Sequence, residues 1–98
     1  MKILALEQDV RGVSDADCLP YLKAEAARVW VLYQSGTIRE MYFRGDTHSA
    51  VLVLECADLD DARIVLDSLP LVQHNLIAFE VIPLIPYPGF SRLFADVP

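Results

Sequence analysis

Few side chains in this sequence could carry a reaction, and Glu80 is the most informative of them. It interrupts an apolar stretch, with Leu76-Ile77-Ala78-Phe79 before it and Val81-Ile82 after it. An unpaired carboxylate is expensive to bury, so Glu80 must find a partner, reach an edge or hold its proton. Desolvated in that way, it is a suitable general base for a proton transfer. A carboxylate bonded to Arg or Tyr across a dimer interface accounts for the same pattern equally well. His48 and His74 are the only histidines. Their side chains titrate nearest neutral pH, which makes both candidate proton carriers as well as ordinary turn residues. Arg44 and Tyr42 could hold a carboxylate or steady negative charge developing on oxygen, and Glu7 adds a further carboxylate to the same set.

These residues meet only if the chain brings them to one edge. Lys2 to Glu7 reads as a first strand, ended by polar residues and Gly12. Asp17 suits a helix N-cap, Pro20 falls in the first turn, and Gly36 supplies the stop. Leu22, Ala26, Val29 and Tyr33 recur at helical spacing, which predicts that they form the buried face, with Trp30 alongside. Thr37 to Arg44 and Ser49 to Cys56 read as a hairpin around Gly45-Asp46-Thr47-His48, in which Gly45 suits positive φ. Arg39 and Glu55 are expected to face each other across it as an ion pair. A second helix follows Asp58, with Leu59, Ala62, Leu66 and Leu69 inward and Pro70 as its end. Leu76 to Ile82 is the last strand, stopped by Pro83. The order is β-α-β-β-α-β, the ferredoxin-like α+β arrangement, with a four-stranded antiparallel sheet and both helices on one face. It puts the end of the first strand, the hairpin turn and the start of the last strand at the same edge. Glu7, Gln8, Arg44, Asp46, His48 and His74 then share a rim.

The strands do not alternate apolar with polar residues as half-solvated strands do. Ala50-Val51-Leu52-Val53-Leu54 is apolar throughout, yet two helices cover only one face of a sheet. The other face, roughly 400 Å² by standard strand spacings, predicts a homodimer with sheets packed face to face. Residues 1–98 form one domain. Its Pro-rich tail, 83–98, carries Leu84, Ile85, Tyr87, Phe90, Leu93 and Phe94 and is expected to dock on its own domain or on the partner.

Composition excludes several functions. With 8 basic against 14 acidic side chains the net charge is −6, and the basic residues are scattered singly, so neither nucleic acid nor an anionic membrane is an expected partner. The apolar opening Ile3 to Leu6 is too short for a signal or a span, which points to the cytoplasm. Cys18 and Cys56 lack metal-ligand spacing and read as reduced, packed thiols. No phosphate loop or nucleophile elbow is present, and no metal site is expected. Tyr33, Trp30, Tyr42 and Met41 could line a pocket or simply pack.

The element order, the hairpin Gly45, the segment Ser68-Leu69-Pro70-Leu71 and the strand Phe79-Glu80-Val81-Ile82-Pro83-Leu84 resemble the muconolactone isomerase-like branch of the dimeric α+β barrel proteins. That group also includes YCII-related proteins and is akin to cofactor-free monooxygenases. The resemblance implies a small-molecule pocket, no cofactor, and a proton-moving isomerase acting on a small organic acid or lactone. It transfers no catalytic motif residue by residue. A cofactor-free monooxygenase and a non-catalytic ligand-binding or assembly module are the alternatives. Glu80, His48 and His74 stand as candidate catalytic residues, and Arg44, Tyr42 and Glu7 as candidate substrate contacts.

Overall fold

The structure is a computed structural model that describes residues 1–94 and 96. Its elements are β1 (Lys2–Asp9), α1 (Asp15–Cys18), a 3-10 turn (Leu19–Tyr21), α2 (Leu22–Gln34), β2 (Ile38–Phe43), β3 (Ala50–Glu55), α3 (Leu59–Asp67), α4 (Pro70–Gln73), β4 (Ile77–Leu84) and a second 3-10 turn (Gly89–Leu93). The strands form one antiparallel sheet in the order β2-β3-β1-β4. This is the expected ferredoxin-like α+β order.

The core lies between the sheet and the helices. Ile3 and Ala5 of β1, Leu52 and Leu54 of β3 and Ile38 of β2 meet Leu32, Ala62, Leu66 and Leu69 from the helical layer. Alternation along the strands sends Leu4, Leu6, Val51, Val53 and Ile82 to the opposite face, since these are the register partners of one another. Among the described residues no helix lies on that face, and all five are only partly buried.

The helices differ from the expectation in ways that have physical causes. Ser14, not Asp17, is the N-cap, and its N–H donates to the Asp17 carboxylate at 2.8 Å. Pro20 has no N–H to donate, and the chain tightens into a 3-10 turn there before α2 begins. Gly36 does end α2, with φ 81°. The buried stripe of α2 is not Leu22-Ala26-Val29-Tyr33. Leu32 is buried while Leu22, Trp30 and Tyr33 are 45%, 56% and 44% exposed. The helix is turned so that Glu25 and Arg28, along with Val29 and Leu32, face the core. Two polar links hold it there: Arg28 Nε donates to Ser68 Oγ at 2.9 Å, and Leu71 N donates to Glu25 Oε1 at 3.0 Å. Polar partners override the apolar pattern.

Asp58 caps α3 as expected, its carboxylate accepting from Asp61 N at 2.8 Å while Asp61 accepts from Ala57 N at 2.9 Å. Pro70 does not end that helix. The Ser68 cap does, and Pro70 opens the short α4, where a missing N–H costs nothing. Nor does Pro83 stop β4, which continues to Leu84 with Pro83 opposite Ile3. An edge strand tolerates proline because only one side of it is paired. The Arg39–Glu55 pair does not form. Arg39 sits in a bulge between Ile38 and Glu40, and Glu55 lies opposite Lys2 with its carboxylate 3.6 Å from the Met1 amino group.

Cys56 is buried and Cys18 half-buried, both free. Ile85, Tyr87, Phe90, Leu93 and Phe94 are 65% to 88% exposed, and the molecule is 59 Å long against 28 and 22 Å across. Its radius of gyration, 16.5 Å, exceeds the ~13 Å of a compact chain this size. The end of the expected tail segment, residues 95, 97 and 98, lies outside the described residues. No helix in the described residues is long and apolar enough to cross a membrane.

Candidate functional site

The register places Glu7 and Gln8 of β1, the β2–β3 turn and the start of β4 at the same end of the sheet. The rim therefore exists, but its members are spread along it. His48 belongs to the β2–β3 hairpin, whereas His74 follows α4 in the helical layer. His48, rather than Gly45, takes the left-handed turn position, at φ 57°. Its ring stacks on Phe43 at 4.3 Å. Arg44 is held by Asp46 through two bonds of 2.9 and 2.7 Å, and this guanidinium keeps the Asp46 carboxyl below the usual carboxylate range. Tyr42 donates to Glu40 at 2.8 Å, a bond that raises the affinity of its phenol for the proton. Glu80 is exposed on the open sheet face, where Gln8 Nε2 donates to it at 3.5 Å. Glu7 is half-buried on the helical face and accepts from Ala50 N at 3.1 Å.

A second group of side chains gathers beneath the start of α2, and sequence reasoning missed most of it. Glu25 is half-buried with its Oε1 held by the N–H of Leu71, in the first turn of α4. Burial pushes the Glu25 carboxyl above its ordinary value, the Leu71 N–H partly offsets this, and the negative charge of Glu7 adds to the rise. One turn earlier on the same face, Tyr21 stacks on His74, with ring centroids 4.1 Å apart. His74 itself follows α4, four residues beyond Pro70, to whose carbonyl it donates a backbone bond of 3.1 Å. Burial first, then Asp15, Asp17, Glu7 and Glu25, raise the thiol of Cys18, so this cysteine stays protonated. Of the residues expected at the site, Glu7 and His74 belong to this group and Glu80, His48, Arg44 and Tyr42 do not. The available signal was an acid in the Tyr21-Glu25-Val29-Leu32 spacing, which becomes visible only when Leu32 is taken as the inward residue.

Two grooves border the helical layer. One, about 260 Å³, runs between α3 and β4 and is floored by Ile77, Phe79 and Val81, with Arg63 and Asp67 at its side and Val72 at its end. Val72 follows Leu71, whose N–H holds Glu25, and Phe79 is the register partner of Glu7. Glu25 itself is not among the residues that line this groove. The other, about 320 Å³, lies along the β2 edge and is lined by Tyr33, Arg39, Glu40, Met41 and Tyr42. Three of the four residues expected to line a pocket are there, and Trp30 is not. Neither groove is lined by Glu80, His48 or His74.

No protein-family model and no curated protein sequence matches the chain. Solved structures do. Muconolactone isomerase superposes with a TM-score of 0.71 at 18% identity, covering 91% of this chain and 93% of that one. The 5-chloro-2-hydroxyhydroquinone dehydrochlorinase of Burkholderia phenoliruptrix AC1100, solved in complex with 2,5-dihydroxybenzoquinone, superposes with a TM-score of 0.69 at 17% identity, over 91% and 98% of the two chains. The likeness read from Leu69-Pro70-Leu71 and the last strand thus holds at the level of architecture, and the chain has the fold of the dimeric α+β barrel proteins.

Proposed function

We propose that this chain is a cofactor-independent enzyme that shifts a proton within a small organic acid or lactone, with Glu25 as the proton carrier. The observation that carries the reading is the Glu25 carboxyl, half-buried and drawn toward its protonated form while a backbone N–H fixes its position. A base of that kind can take a proton from carbon beside a carbonyl and return it elsewhere, leaving the oxidation level unchanged. Ile77, Phe79 and Val81 would hold the apolar body of the substrate, and Arg63 its carboxylate. His74 is the second proton carrier in reach of this end of the fold. Glu80 and His48 belong elsewhere in this reading, with Glu80 beside Gln8 on the sheet face that pairs. The two neighbours in fold act on small cyclic molecules by their names, which fits the reading.

The molecule is proposed to work as a homodimer, because Leu4, Leu6, Val51, Val53 and Ile82 form an apolar face that this chain leaves open. A non-catalytic binding or assembly role is the second reading, favoured by the filled interior, in which Ile3, Ile38, Leu54 and Leu69 are wholly buried. The test is Glu25→Gln assayed for lactone isomerisation. Glutamine keeps an acceptor for Leu71 N–H, so the fold is retained while the proton carrier is lost. Turnover is expected to fall about 10²- to 10⁴-fold. Unchanged turnover removes Glu25 from the mechanism, and absence of turnover in the unaltered chain, with ligand still bound, favours the second reading.

A further inference from the structure

Besides the open sheet face, two apolar surfaces stand exposed among the described residues, and each has the shape of something that docks. The first is the outer stripe of α2. Leu22, Ala26, Trp30 and Tyr33 recur at spacings of 4, 4 and 3 on the side turned away from the core, and the Trp30 and Tyr33 rings lie 6.1 Å apart. Ala26 leaves a notch between Leu22 and Trp30. The only acid in α2, Glu25, faces inward, so the stripe presents no carboxylate. The second surface is the arm that follows β4. Its Tyr87 ring meets Phe90 edge-on at 5.1 Å, and a side chain at Gly89 would collide with the Tyr87 ring. Pro86, Pro88 and the 3-10 turn limit its freedom further, so docking orders little that is not already ordered.

We propose that the arm of one copy, residues 85–94, seats its aromatic side chains on the outer stripe of α2 in a second copy. Topology favours a trans seat. The arm leaves from β4, whereas α2 packs toward β2 at the opposite edge of the sheet, and the apolar side chains of the arm are exposed on their own chain. The open sheet face is the surface proposed above for sheet pairing, which leaves the notched stripe of α2 for the arm. Size agrees. Tyr87, Phe90 and Phe94, at 65%, 68% and 88% exposed, offer roughly 400 Å² per arm on ordinary aromatic areas. Two reciprocal arms and the surfaces they cover then bury about 1,600 Å², the size of a standard stable interface. The proposal rests on the self-associating reading given above but not on Glu25.

Trp30 is the only tryptophan, so its emission reports the seat directly. In the full chain a blue emission, poorly quenched by acrylamide, is expected. A chain ending at Leu84, or the full-length Phe90→Ser/Phe94→Ser variant, is expected to emit to the red with quenching raised several-fold. Crossing is read by refolding Trp30→Phe full-length chains together with Trp30-containing chains that end at Leu84. A blue shift on mixing supports the trans seat, and an unmoved emission overturns it. Emission that is buried in the full chain and indifferent to the arm variants also overturns it, assigning the stripe to another surface such as a second α2. Light scattering on the same samples keeps the two readings apart. Arm variants that expose Trp30 while retaining dimer mass support the seat and leave sheet pairing intact, whereas a full chain of monomer mass overturns both.

Discussion

At Glu25 two demands meet on one side chain. Its oxygen accepts the Leu71 N–H, tying α2 to α4, while burial and Glu7 favour the protonated form. A raised carboxyl value means the folded chain holds a proton that the unfolded chain has already released. The resulting stability is fully present below the ordinary glutamate value of 4.5 and is lost as pH rises through the higher folded value. Urea midpoints are therefore expected to decline across that window in the unaltered chain and to flatten in Glu25→Gln. A midpoint profile of equal slope in both removes burial as the cause. Arg44 illustrates the opposite case. Its fork is occupied by Asp46 at an exposed turn, so Asp46→Asn is expected to leave the urea midpoint unmoved at neutral pH. Turnover that responds to Asp46→Asn would bring the hairpin back into the site. The rim residues were legible in the sequence because strand order alone places them. Glu25 was not, because an acid on a helix reads as solvated until the inward face is known.

Helix faces were the least legible elements. α2 carries two apolar stripes side by side, and period alone cannot rank them. The choice falls to Arg28 and Glu25, whose partners Ser68 and Leu71 lie 40 and 46 residues on. α3 was legible because its signals agree: Asp58 caps it, Asp60 and Asp61 sit at its positive end, and Ala62 and Leu66 point inward. Asp58→Ala is expected to cost about 0.5–2 kcal/mol, the usual value of such a cap, read from urea unfolding. Leu54→Ala, at the fully buried centre of β3, is expected to cost about 2–5 kcal/mol on the same measurement. A cap variant as costly as the core variant would mean that α3 holds more of the fold than its packing suggests. Proline was legible as punctuation but not as to which kind, since Pro70 begins an element and Pro83 lies within one.

At the scale of the molecule, unbroken apolar strands signalled a face in need of cover, and the structure leaves that face open on this chain. Val53 stands near its centre, opposite Leu4. Val53→Asp places a charge where two sheets would meet, and light scattering is expected to report half the mass of the unaltered protein. Equal masses would move the interface elsewhere. Both outer strands of the sheet are blunted as well. The bulge at Arg39 bends β2 out of register, and Pro83 removes a donor from β4. Strand addition at either border is thereby discouraged, so a chain that exposes several aromatic rings offers no straight, unbroken border from which a fibre could grow.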